Sequence, residues 1–265
     1  MKTQKTCDPS AMTPLEVENI GYPTAIKGLK DIQLQYNKLR GLVTATEAQE
    51  FWLHGLLRRI GTLKANLNRV LAISPPTRSK KLNEIEFADL TAHLQCFYIN
   101  HFGVYNNLAL IWTFERLSIQ DRKQFIKPKY TPNIFNKDFK RLLPFEMRKQ
   151  INQSSVWYKN LIDFRHPLAH AIPFYVVPYF LTADEARKDA ILEERFLKAK
   201  SSIEMEIIMD IKDSLGKYYG GHITGSFNKN KLMPIHQIVA DTNTLVEILK
   251  TFAKVFVQNK PVIGS

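Results

Sequence analysis

The sequence predicts an all-α protein, a helical bundle with additional helices and little or no β structure. Three observations carry that expectation. Two long apolar stripes recur at helical spacing, capping signals stand before helical stretches, and strand alternation is confined to two short segments. The composition agrees, since 45% hydrophobic and 23% charged residues in a chain of 265 supply a core without any bias toward disorder. No sharp boundary divides the chain, so residues 1–265 are expected to form one bundle domain with N-terminal and C-terminal helical extensions.

In chain order, Thr44 and Glu47 have the T-x-x-E spacing of a capping box. Behind them Phe51, Leu53, Leu56, Leu57, Ile60, Leu63, Leu67, Val70 and Leu71 form the first stripe, which ends before Pro75-Pro76. A second stripe runs from Phe87 through Leu94, His101 and Leu108 to about Arg116, and the two helices should pack antiparallel. Prolines and asparagines mark a loop between Lys127 and Asn136, followed by a short helix and then a longer one bearing Trp157, Leu161, Ile162 and Phe164. Thr182 and Glu185 form another capping box and open a charged helical stretch through Leu215. Residues 174–180 and 223–227 are the two candidate strands, and GGHITGSFNKNKLMP could hold a hairpin. A last helix is expected from about Asp241 to Val257.

No apolar run approaches the length of a membrane span, and residues 1–30 never assemble the apolar core of a signal peptide. Cys7 and Cys96 are too few for a disulfide framework or a thiolate zinc site, so a soluble cytoplasmic protein is expected. Thirty-seven basic against 25 acidic residues leave a formal charge of +12, which attracts phosphate polymers such as RNA or simply forms a solvated surface. Half of that excess lies in residues 121–150, with nine Lys/Arg and three Asp/Glu.

Just beyond this basic stretch stands Arg165-His166-Pro167-Leu168-Ala169-His170. A residue before proline avoids helical backbone, so Arg165 should close one helix, His166 should act as a cap, and Leu168 to His170 should begin a new turn that Pro173 ends. The free amides of such a turn favour an anion, and the planar fork of Arg165 fits phosphate. A histidine titrates near neutral pH, which suits His170 to general acid–base work on the ribose 2′-hydroxyl of RNA, with Arg165 stabilising the charge that grows on phosphorus. Tyr158 and Asp163 are nearby in sequence and could support the site, Tyr158 as a donor to phosphate. The plainer alternative is that Arg165 pairs with Asp163, while His166 and His170 are satisfied polar residues under the proline loop.

The hexamer resembles the R-polar-x-x-x-H signature of the HEPN superfamily, all-α bundles of which many members are metal-independent ribonucleases. The resemblance implies that Arg165 and His170 are the catalytic pair and that His166 takes the polar position between them. It further implies a homodimer whose two motifs face one cleft, products with a 2′,3′-cyclic phosphate and a 5′-hydroxyl, no cofactor or metal, and a toxin or phage-defence role with an antitoxin or defence-system partner. A catalytically inactive HEPN-like module that binds RNA or a protein is the alternative. Pro167 and the following Ala171-Ile172-Pro173 depart from the signature's usual continuation, so the dimer interface is expected to be built differently.

Other candidates were weighed on the same terms. His93 and His101 lie eight apart, with Asn106 and Asn107 further along, and could support the catalytic pair, form a metal face or be hydrogen-bonded core polars. Glu193, Glu194, Glu204, Glu206, Asp210 and Asp213 alternate with lysines and arginines as on a solvated helix face, so no metal is assigned. Tyr218, Tyr219, Gly220, Gly221 and His222, followed by Lys229 and Lys231, have the composition of a single-strand stacking loop or of an ordinary connection between helices. Gly-rich phosphate loops, G-x-S-x-G and H-E-x-x-H are missing, which excludes P-loop, kinase and metalloprotease readings.

Overall fold

The computed structural model describes residues 12–127, 131–170, 174–219, 221–224 and 232–259, leaving aside the side chains of 167, 169, 170 and 232. Helix accounts for 76% of the described residues and strand for 5%, which is the all-α class expected.

Thr13 caps the short helix α1 (Pro14–Glu16) through a reciprocal box with Glu16. A π-helical turn, Val17–Gly21, leads into α2 (Tyr22–Leu39). Sequence reasoning assigned no helix here. Yet Tyr22, Ala25, Leu29, Ile32 and Tyr36 recur at helical spacing and are all buried. Tyr36 stacks on Trp52 and donates its hydroxyl to the Leu249 carbonyl at 2.8 Å, joining α2 to the end of the chain.

The first stripe becomes α3 (Thr46–Glu50), a π-helical segment Phe51–Leu57, and α4 (Arg58–Ile73). The second becomes α5 (Glu84–Arg116), about 50 Å long at 1.5 Å per residue. Cross-links from Arg69 to Asp89, Asn66 to His93 and Arg59 to Asn107 run in opposite chain directions, so the pair is antiparallel as expected. In its second half α5 is buried on most sides, from Gly103 through Thr113, and is the central helix of the bundle.

The capping box at Thr44 and Glu47 does not form. Helix α3 starts one residue after its N-cap Ala45, which supplies no side-chain cap. Glu115 of α5 caps it instead, accepting from the Thr44 and Ala45 amides at 2.5 and 2.6 Å. A carboxylate held by tertiary structure thus replaces the local one.

Helices α6 (Ile119–Phe125), α7 (Lys137–Lys140) and α8 (Phe145–Gln153) lead to α9 (Ser155–His170). Strands β1 (Tyr175–Val177), β2 (His222–Thr224) and β3 (Leu232–Pro234) form one antiparallel sheet in that order, and buried Val176 and Ile223 face each other across it. Both candidate strands and the hairpin are therefore present. The charged stretch is two helices, α10 (Ala183–Lys198) and α11 (Ser202–Ser214), because Ser201 caps a new start by accepting from the Glu204 amide. Finally α12 (Gln237–Gln258) packs along α2 and α8. One apolar core runs from Val17 to Phe256. Among the described residues no helix is long and apolar enough to cross a membrane.

Candidate functional site

The break expected at the signature is not there. Helix α9 continues through His166 and Pro167 to His170. The local preference against helix before proline is real, but packing outweighs it: Trp157, Leu161, Phe164 and Leu168 fall on one helical stripe and all pack against the core. Leu168, placed after the proline, anchors the last turn. The cost is one hydrogen bond, since Pro167 has no amide to give the Asp163 carbonyl. The signature accordingly lies at the C-terminal end of a helix, where carbonyls and the negative end of the dipole gather, so free helix amides contribute nothing to anion binding there.

Arg165 is half-buried, and its guanidinium lies 4.6 Å from the centre of the Phe102 ring. Phe102 stacks on Tyr158, and Tyr158 lies 3.8 Å from Phe135 with the rings within 5° of parallel. A four-layer pile thus ends in the arginine. No ion pair joins Arg165 to Asp163 among the described residues; two positions apart on a helix, they face different directions. Asp163 is exposed. Burial pushes the Tyr158 hydroxyl well above its usual range, while Arg165 and a hydrogen bond with Asn133 oppose the rise. Tyr158 and Arg165 are thus linked through the Phe102 ring that lies between them.

His166 is on the surface. The His170 side chain lies outside the described residues; along the backbone of α9, positions five apart are turned by about 140° around the axis and separated by about 7.5 Å. Positions 165 and 170 do not share a face of α9. Positions 166 and 170 do.

Where α5, α9 and α12 meet lies a buried polar network that sequence reasoning missed. Asp241, taken only as a helix start, is 5% exposed and accepts from Trp157 Nε1 at 2.9 Å, Gln237 Nε2 at 3.3 Å and Tyr98 at 3.3 Å. Burial raises its carboxyl to about 6 against those three bonds. His101, fully buried, is brought down to about 4 by burial and is neutral at pH 7. Its Nε2 donates to the Asp241 carbonyl at 3.1 Å, which leaves Nδ1 to accept from Tyr105 at 3.3 Å. An aspartate at a helix start on an apolar stripe was the available signal. The network ties α5, α9 and α12 together and sets the floor on which α9 rests.

The remaining candidates resolve to structure. His93 bonds Asn66 at 2.8 Å, apart from His101, so the two form no metal face. Among the described residues no three His, Cys, Asp or Glu side chains come together as a metal site would require. Glu193 and Asp189 pair with Lys212 across the α10–α11 hairpin, and Glu194 pairs with Lys198. Tyr218 is buried with its hydroxyl on Ser74, so it offers no stacking face, while Tyr219 is exposed. Lys229 and Lys231 lie outside the described residues. In the basic segment, Arg122 is committed to the Phe114 and Leu117 carbonyls, whereas Lys127 lines a cleft beside Asn106 and Asn107.

With this geometry in hand, the chain was compared with protein-family models, curated proteins and solved structures, and it matches none of them.

Proposed function

We propose that this chain acts on RNA as a metal-independent endoribonuclease of the HEPN type, working as a homodimer in a toxin or phage-defence role. The observation that supports this reading is the state of Arg165: a half-buried guanidinium with no carboxylate partner among the described residues, aligned over an aromatic pile in a chain of net charge +12. Such a group is available to phosphate. In the proposed reaction the ribose 2′-oxygen attacks phosphorus and gives its proton to the His170 imidazole. The bond from phosphorus to the 5′-oxygen breaks, and that oxygen takes the proton from the His170 imidazolium, which returns to its neutral form. Arg165 stabilises the charge on the non-bridging oxygens. Because positions 165 and 170 diverge on one helix, the arginine of one protomer would meet the histidine of the other, which is what a two-copy site supplies.

The same divergence favours a second reading, in which the Arg165 face binds RNA without cutting it. One experiment separates them: RNA incubated in EDTA with the wild type, Arg165→Ala and His170→Ala, with cleavage products and retained RNA scored on the same gel. The nuclease reading expects cyclic-phosphate ends from the wild type and a loss of about 100-fold or more in either variant. Salt-dependent retention with no cleavage would establish the second reading. Undiminished cleavage by both variants would remove Arg165 and His170 from the chemistry.

A further inference from the structure

A different arginine is set more deliberately than Arg165. Where the π-helical segment and α4 meet α5, two glycines make room. A Cβ on Gly55 would fall 2.1 Å from Asn107 Nδ2, and one on Gly103 would fall 2.4 Å from the central carbon of the Arg59 guanidinium. The Arg59 head therefore lies directly against the backbone of α5. Its Nε donates to Asn107 Oδ1 at 2.9 Å and its Nη1 to Asn100 Oδ1 at 3.0 Å. Both partners are neutral amides. Nη2 hydrogen-bonds to nothing, and no carboxylate pairs with Arg59, among the described residues. Burial without a counter-ion weakens its hold on the proton.

This arginine lines an open cleft of about 510 Å³, a size suited to a small organic ligand. Lys127 lines it too, as do Asn106 and Asn107, while Phe114 and Ile126 contribute apolar wall; among the described residues no acidic one takes part. Two cations, two amides and an apolar wall match a doubly charged phosphate joined to a flat apolar body. A π-helical distortion that ends at Leu57, two residues before Arg59, is the kind of irregularity that often accompanies binding sites.

We propose that the Arg59–Lys127 cleft binds the phosphate of a nucleotide, with the base against the Phe114 wall. Arg165 does not line this cleft, so the assignment stands apart from the nuclease reading. The test is calorimetric titration of the full chain with AMP, UMP, inorganic phosphate and a short oligoribonucleotide. Nucleotide binding at this cleft should persist in Arg165→Ala. Arg59→Lys, which keeps charge but loses the fork, and Lys127→Glu, on the exposed rim, should each weaken binding tenfold or more with helical content unchanged. Displacement of AMP by the oligoribonucleotide would assign the site to an RNA chain, and failure to displace it would assign it to free nucleotide. Absence of nucleotide binding to folded wild type overturns the proposal. So does nucleotide binding by Lys127→Glu at wild-type strength, or inorganic phosphate binding as tightly as the nucleotides.

Discussion

His101 and Asp241 are neighbours whose ionisations oppose each other in sign. The imidazole falls from 6.5 to about 4 and the carboxyl rises from 3.8 to about 6, both because burial penalises charge. Between roughly pH 4 and 6 the unfolded chain binds the extra proton at position 101, so that group makes stability rise with pH. Over the same window the folded chain binds the extra proton at position 241, so that group makes stability fall with pH. Each effect is about 3 kcal/mol, and they nearly cancel. Urea unfolding at pH 4, 5, 6 and 7 should accordingly show little net slope from this pair. Asp241→Asn, which keeps an acceptor for Trp157, should unmask a stability that climbs with pH, whereas His101→Gln should unmask one that declines. Parallel pH profiles in all three proteins would show that the two groups do not titrate as described.

At the scale of elements, legibility followed how local the deciding force was. The two long stripes, the Thr182 capping box and the hairpin were legible because each is written within a few residues. Helix α2 was hidden by Gly21-Tyr22-Pro23, which reads as a turn although Pro23 sits in the first turn of the helix, where proline is tolerated. Glu115 displaced the Thr44 box from 71 residues away, a distance no local pattern encodes. At α9 the pre-proline rule lost to the Trp157–Leu168 stripe. The site followed the same division: Arg165 stands out as a residue, but its aromatic support and the divergence from position 170 belong to the assembled helices. Continuity of α9 through Pro167 makes Pro167→Ala informative. A proline inside a helix forfeits a backbone bond, so the alanine variant should be more stable by about 1–3 kcal/mol in denaturant unfolding. Had Pro167 stood at the first position of a new turn, alanine would be neutral or worse.

At the scale of the whole molecule, stability is unevenly distributed, and the cause is which helices reach the shared core. Helix α5 buries residues from Leu90 to Glu115 and touches α3, α4, α6, α9 and β1. The α10–α11 hairpin buries only Leu192 and Ile208, neither of which joins the main core, and it leaves Leu197 77% and Ile203 69% exposed. Among the described residues a polar tie at its base joins it to the rest, from Lys81 to the Asp213 carbonyl, while the Gly216 amide donates to Glu185 and closes the hairpin on itself. Opening the hairpin therefore exposes little apolar area and breaks mostly its own contacts, whereas opening α5 dismantles the bundle. Hydrogen exchange followed by mass spectrometry should find α10 and α11 exchanging through a separate, cheaper opening, with amides at the centre of α5 protected up to the global unfolding free energy. Denaturant should accelerate exchange in α5 steeply and in the hairpin weakly, since the slope measures area exposed. Equal protection and equal slopes in both would mean that the hairpin is clamped by contacts beyond those within one chain, and a dilution series of the same exchange experiment would then show its protection falling with protein concentration.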